Sequence, residues 1–270
     1  MLGRSLATGM AAKDIRTSAP APGSLNKFFR AINPDIRSNW AWDNYERVIL
    51  ELSKRFGLTR LLEVGGGRSP LLPADLVEEL GLHYTINDIS PVELENAPAG
   101  YHTACFDIAG DLTATEATPG AYDLIFSRMV FEHIPNARQA WRNVHTLLAP
   151  GGVALAFMPT LYALPYVVNL MIPEAVSSKI VELLYPHRTP TEAPKFPAYY
   201  DWCYSSERKM LPMLKEAGFS EVEIVPFYGH EYFARLPIIR EMDEMLTRLA
   251  IKRDWRALTA YAYIVVRKPA

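Results

Sequence analysis

The chain has 270 residues, 49% of them apolar and 21% charged, which suits one large domain with a buried core. Its 28 basic side chains against 30 acidic ones leave a formal net charge of −2, without the basic excess of a phosphate-tracking nucleic-acid surface. Two cysteines, Cys105 and Cys203, give neither a disulfide framework nor metal-ligand spacing, so a reducing, cytoplasmic setting is expected.

Residues 1–24, ending TSAPAPGS, mix small residues and prolines with scattered charges and no continuous apolar core; they read as a disordered leader. The stretch NPDIRSNWAWDNYERVILELSKRFG places Trp42, Tyr45, Ile49, Leu52 and Phe56 at helical spacings, with Gly57 as C-cap. From there short strands alternate with helices. RLLEV is the first strand. Ser69 with Pro70 could open the next helix, although Pro73 favours a start at PADLVEEL. HYTIND and YHTACFD are the second and third strands, and YDLIFSRM the fourth. The helix NARQAWRNVHTLL is then ended by the turn residues of APGG, and VALAFMP is the fifth strand. This alternation predicts right-handed crossovers and a mainly parallel sheet covered on both faces.

The pattern changes over 160–204, which is rich in proline and aromatics and has no strand signal. Its long apolar region, 161–185, is broken by Pro165, Pro173, Glu174, Lys179 and Glu182, so no integral membrane segment is expected. The piece YVVNLMIPEAVSSKIVELLY is amphipathic enough to allow loose contact with a membrane or a lipid-linked ligand. Order resumes with the helix SERKMLPMLKEAGF and the strands EVEIVPFY and TAYAYIVVRK.

The first strand runs into LLEVGGG. A glycine-rich turn from strand to helix is the entrance of a nucleotide-type site, because glycine adopts positive φ and leaves no Cβ between ligand and backbone. Asp88 closes the second strand, placed to accept hydrogen bonds from a ribose. Taken singly, the glycines could form an ordinary turn, and Asp88 and Asp107 could be helix caps. Two cofactors compete. A dinucleotide fingerprint wants a third glycine where Pro70 stands, and its pyrophosphate would meet Glu63 unfavourably. S-adenosylmethionine carries a sulfonium and an ammonium, which a carboxylate suits.

LLEVGGG, NDIS, CFDI, YDLIFSRMVFEHIPN and LLAPGGVALAFMP, in this order, resemble the class I S-adenosylmethionine-dependent methyltransferases and in layout their uncharacterised bacterial small-molecule members. The resemblance implies a three-layer Rossmann-like α/β sandwich with a seven-stranded, mainly parallel sheet and a reversed last hairpin strand. It divides 25–270, a single domain, into a helical cap (25–57), a cofactor-binding core (58–159), an inserted substrate cap (160–204) and a closing helix with strands (205–270). By position it puts Gly65, Gly66 and Gly67 along the methionine portion of S-adenosylmethionine, with Glu63 near the ammonium. Asp88 falls on the ribose, Asp107 and the Ile108 amide on the adenine, and Ser127 with Arg128 beneath the sulfonium.

Methyl transfer from a sulfonium is an in-line displacement that asks chiefly for positioning; a base is needed only where the acceptor must lose a proton. His133, in FEHIPN after the fourth strand, is the candidate base. Metal-dependent O-methyltransferases with a similar stretch carry a further glutamate where this chain has Met129. Glu132 and His133 alone make a poor divalent site, so no metal is expected. Tyr162, His187, Tyr199, Tyr200 and His230 are candidate contacts for a small-molecule acceptor. The function expected is methylation of a hydroxyl or carboxyl. The alternatives are nitrogen or carbon methylation, a nicotinamide oxidoreductase, and a non-catalytic binding module.

Overall fold

The computed structural model describes residues 23–163, 196–233 and 237–270. His187 and most of the expected substrate cap lie outside the described residues. The elements are α1 (Leu25–Ile32), α2 (Ser38–Phe56), β1 (Arg60–Val64), α3 (Ala74–Glu79), β2 (His83–Asp88), α4 (Pro91–Glu95), β3 (His102–Cys105), β4 (Tyr122–Arg128), α5 (Ala137–Leu147), β5 (Leu148–Pro159), α6 (Glu207–Glu216), β6 (Glu221–Phe227), α7 (Pro237–Arg253) and β7 (Tyr261–Arg267).

The strands form one seven-stranded sheet in the order β3-β2-β1-β4-β5-β7-β6. Neighbours are parallel from β3 through β5, and β7 runs antiparallel to both β5 and β6. The reversed last strand of the Rossmann-like methyltransferase fold is therefore present. Strand order reverses between β1 and β4, and such a switch point opens a crevice at the carboxyl ends of the two strands.

The central strands are apolar on both sides. Residues Val153 to Pro159 of β5 and Tyr261 to Val266 of β7 are all buried, as a sheet covered on both faces requires. The α2 helix buries Ala41, Tyr45, Val48, Ile49 and Leu52 and ends on Gly57 at φ 66°. Tyr45 meets Phe126, Phe157 and Tyr263 at ring-centroid distances of 6.5, 5.5 and 5.7 Å. The α5 helix starts from an Asn136 cap, whose side chain accepts from the Gln139 N–H, and buries Trp141 against Phe131 and Phe219.

The α3 helix starts after Pro73, as the sequence favours, because Pro70 and Pro73 leave no regular turn between them. Two local features depart from the sequence pattern. The expected turn at Pro150–Gly152 lies inside β5. The register jumps from Tyr122↔Leu148 to Leu124↔Val153, so the Pro-Gly-Gly stretch bulges out of a strand that continues beyond it. The α7 helix has no counterpart in the expected order of elements. It buries Thr247 and Ala250 while Ile238, Met242, Met245 and Leu249 are exposed, so its apolar stripe faces outward, the reverse of the usual arrangement.

Candidate active site

The crevice is built first by the turn leaving β1. Gly65 and Gly67 have φ of 72° and 43°, which residues with a Cβ adopt at a cost. The Gly65 and Gly66 N–H groups both donate to the Asn87 carbonyl, at 2.8 and 3.0 Å, lashing the turn to β2. A Cβ on Gly65 would lie 2.5 Å from Val130 Cγ2, and one on Gly66 would lie 2.8 Å from both Glu63 Oε2 and Ile86 Cγ2. A Cβ on Gly67 would lie 2.9 Å from Asp88 Oδ2. The glycines thus answer to protein neighbours as well as to any ligand.

Asp88 faces the turn rather than away from it. Its Oδ1 accepts from the Ser90 N–H at 2.9 Å, which leaves Oδ2 over Gly67. Partial burial, helped by the nearby Glu93 charge, raises its carboxyl above the usual range. Asp107 repeats the device: Oδ1 accepts from the Ala109 N–H at 2.8 Å, and the residue is exposed. Ile108 is buried beside it, and Asn143 Nδ2 donates to the carbonyls of Ile108 and Gly110, both at 2.8 Å. The spacing of Asp88 and Asp107 carried the first two; Asn143, which orders the second loop, carried no signal in the sequence.

Glu63 is buried. It accepts from the Leu71 N–H at 3.0 Å and from the Tyr84 hydroxyl, so it ties the chain after the glycines back onto β1 and β2. Burial raises its carboxyl, against the pull of those two donors and of the Arg128 charge. Ser127 is buried, with its carbonyl accepting from the Tyr45 hydroxyl at 2.7 Å, whereas Arg128 is exposed. Met129 follows at φ 58°, a strained conformation of the kind that gathers at functional edges. Among the described residues no three His, Cys, Asp or Glu side chains gather as a metal would need.

Beyond β4, Glu132 and His133 are stapled to the segment that begins at Phe196. The Glu132 carbonyl accepts from the N–H groups of Tyr199 and Tyr200, at 2.7 and 3.1 Å. His133 Nδ1 lies 2.8 Å from the Pro197 carbonyl, and its ring packs edgewise on Phe196. A carbonyl only accepts, so Nδ1 carries the proton and the neutral ring keeps its lone pair on Nε2. Glu132 Oε1 stands 3.8 Å from that nitrogen. The Glu132 side chain is buried, with Oε2 unpartnered among the described residues, and burial pushes its carboxyl up to about 8.

The candidate acceptor residues separate. Tyr199 is exposed and Tyr200 is buried in the core. Tyr162 is partly exposed and takes a hydrogen bond from Lys209 Nζ. His230 lies apart, in a cavity of about 270 Å³ lined by Tyr162, Gly229, Asp243, Leu246 and Thr247 among others. There its Nε2 is 3.4 Å from Asp243 Oδ1, and its Nδ1 has no hydrogen-bond partner among the described residues. Burial lowers the imidazole, which holds it neutral. The partner Asp243 sits on α7, the helix that the sequence pattern did not disclose.

Comparison with known proteins agrees with this architecture. A family model for a methyltransferase domain matches residues 35–224, more than half of the chain. A reducing polyketide synthase, ppsB, of Aspergillus oryzae is 27% identical over 120 residues, 41% of this chain and 5% of that protein. The chain therefore spans about a twentieth of that curated relative. A methyltransferase structure from Archaeoglobus fulgidus matches with TM-score 0.50 and 16% identity, covering 90% of this chain and 99% of that one. The trans-methyltransferase CalH, solved with S-adenosylhomocysteine, matches with TM-score 0.50 and 18% identity over 83% of this chain and 55% of its own. The chain belongs to the methyltransferase-domain family.

Proposed function

We propose that the enzyme methylates a hydroxyl oxygen of a small-molecule acceptor, with His133 as the base. The observation that carries this reading is the Pro197 carbonyl on His133 Nδ1, which leaves Nε2 free to take a proton at the carboxyl edge of β4. An aliphatic or sugar hydroxyl has a pKa far above neutrality and needs such a base as its oxygen attacks. His133 is partly exposed, so an acceptor can reach it, and the staple to Pro197 fixes the ring.

S-adenosylmethionine supplies an electrophilic methyl group on a sulfonium. The residues present suit its charges. Asp88, with Oδ2 over the glycine turn, would accept from the ribose hydroxyls. Asp107 and the Ile108 amide would receive the adenine. Gly65, Gly66 and Gly67 would bring backbone against the methionine portion, shaped by Glu63 from behind. Ser127 would form the floor. Arg128 is a cation and suits the donor's carboxylate better than its sulfonium. On the acceptor side, Tyr162, Tyr199 and the half-exposed Trp42, which packs edgewise on Phe157 and Tyr261, offer ring faces. His230 and Asp243 would contact a more remote part of the acceptor.

The test is transfer of labelled methyl from S-adenosylmethionine to extract components, followed by identification of the labelled product. Label on a hydroxyl oxygen is expected; label on carbon or nitrogen would overturn the oxygen assignment while leaving the enzyme class intact. His133→Ala should lower turnover about 100-fold, the usual contribution of a general base, with adenosylhomocysteine affinity unchanged. Unaltered turnover would remove His133 from the reaction.

A further inference from the structure

The outward face of α7 is apolar along its length. Ile238, Met242, Met245 and Leu249 follow one another at intervals of four, three and four residues and are 76%, 63%, 65% and 41% exposed. Ile239 and Leu246 lie along one border of this stripe and are also exposed. Glu241 and Arg248 lie along the other border, one heptad apart, and neither has an ion pair among the described residues. The opposite side of the helix packs Thr247 and Ala250 inward. A stripe of this length on a surface helix marks a docking site.

The spacing is that of a coiled-coil seam, with Met242 and Leu249 at one core position of the heptad and Ile238 and Met245 at the other. We propose that α7 pairs with α7 of a second copy of this chain in an antiparallel two-fold interface. An antiparallel pair sets unlike core positions against each other and sets each border against its own copy. One register then satisfies every exposed side chain of the stripe. Ile238 meets Leu249 of the second copy, and Met242 meets Met245. Ile239 meets Leu246 on the apolar border. On the charged border Glu241 of each chain meets Arg248 of the other, twice by symmetry. A parallel pair would set each border against the opposite one, facing Glu241 and Arg248 with Ile239 and Leu246. The sequence of the stripe is self-complementary only in the antiparallel sense.

The size of the contact sets its strength. Seventeen residues make a helix about 25 Å long. A seam of that length alone falls short of the roughly 1,200 Å² at which stable interfaces begin, so association should be reversible and concentration-dependent.

Sedimentation velocity on the full chain, from about 1 to 100 μM, tests the pairing across the affinities such a contact allows. A monomer–dimer equilibrium is expected. Glu241→Arg and Arg248→Glu should each weaken it about tenfold, because each sets like charges together twice, and the double variant should restore it. Met242→Asp should leave a monomer with unchanged circular dichroism and an unchanged thermal shift on adenosylhomocysteine. A wild-type chain that stays monomeric at 100 μM would overturn the proposal. So would a dimer indifferent to the charge swap, or a monomer whose stripe is occupied by zwitterionic lipid vesicles in a flotation assay.

Discussion

Asp88 and Asp107 each commit one oxygen to an N–H two residues ahead, Ser90 and Ala109, and keep the other uncommitted. The first bond orients the carboxylate before any ligand arrives. Removing Asp88 should therefore affect binding more than folding. Asp88→Ala should weaken adenosylhomocysteine binding about 30-fold by calorimetry, as loss of charge-assisted hydrogen bonds implies, with little change in melting temperature. Gly65→Ala should do the reverse of a clean binding defect. The new methyl would strike Val130 and the residue would sit at φ 72°, so a loss on the order of 1–3 kcal/mol in denaturant unfolding is expected. Adding Val130→Ala should recover the steric part only. Glu132 carries a pH signature. Its folded pKa lies near 8, above the usual carboxylate value, so the native state holds a proton that the unfolded chain has released. Stability should then be fully present at low pH, below the ordinary carboxylate range, and fall as pH rises towards 8. Glu132→Gln should flatten that decline and melt higher than wild type at pH 8. The two aspartates and the glycines were legible in the sequence because they follow or close β1, β2 and β3 at the carboxyl edge, where sheets of this kind open a crevice. The burial of Glu63 and Glu132 was not, since nothing in LLEV or FEHIP says that Tyr84, Leu71 or the 196–200 segment will close over them.

Helix α2 was legible because Trp42, Tyr45, Ile49, Leu52 and Phe56 recur at helical intervals and Gly57 ends them; of these Tyr45, Ile49 and Leu52 are buried, whereas Trp42 is exposed. Its functional reach was not. The Tyr45 hydroxyl crosses from α2 to the Ser127 carbonyl at the end of β4, where it holds the strand just before the strained Met129. Tyr45→Phe should cost about 1 kcal/mol, a fall of roughly 2–4 °C in melting temperature. The β5 strand was read late because its Pro-Gly-Gly stretch has the composition of a turn, yet strands on both sides hold it in the sheet. The α7 helix carries helical spacing at Ile238, Met242, Met245 and Leu249, but the apolar face it shows in the sequence is the one it exposes, so the strand–helix alternation of the sheet did not call for it.

At the scale of the molecule, the strand order divides the labour. The β3–β2–β1–β4 half carries the aspartates and the glycine turn, and the β5–β7–β6 half carries Tyr162, His230 and α7. With strands about 4.8 Å apart, the His230 cavity at the β7 and β6 ends lies roughly 10–14 Å across the sheet from β4. On the proposed function, the base for the reacting atom is His133 near β4, and His230 would meet the far end of a longer acceptor. Accordingly His230→Ala should raise KM for the acceptor and leave kcat and donor affinity nearly unchanged, whereas His133→Ala should lower kcat. The core of the sheet follows directly from the alternation of apolar runs. The pairing of His230 with Asp243 could not, because thirteen residues and a change of element separate them.

The chain leaves β6 at Phe227 and re-enters the sheet at Tyr261 as the strand next to it, with both strands hydrogen-bonded along their length. Everything in between hangs from a closed hairpin, as a pendant hangs from a clasp. Such an excursion can be lengthened, shortened or exchanged between homologues without re-threading the nucleotide half. A chimaera that trades this loop should keep the donor and change its choice of acceptor.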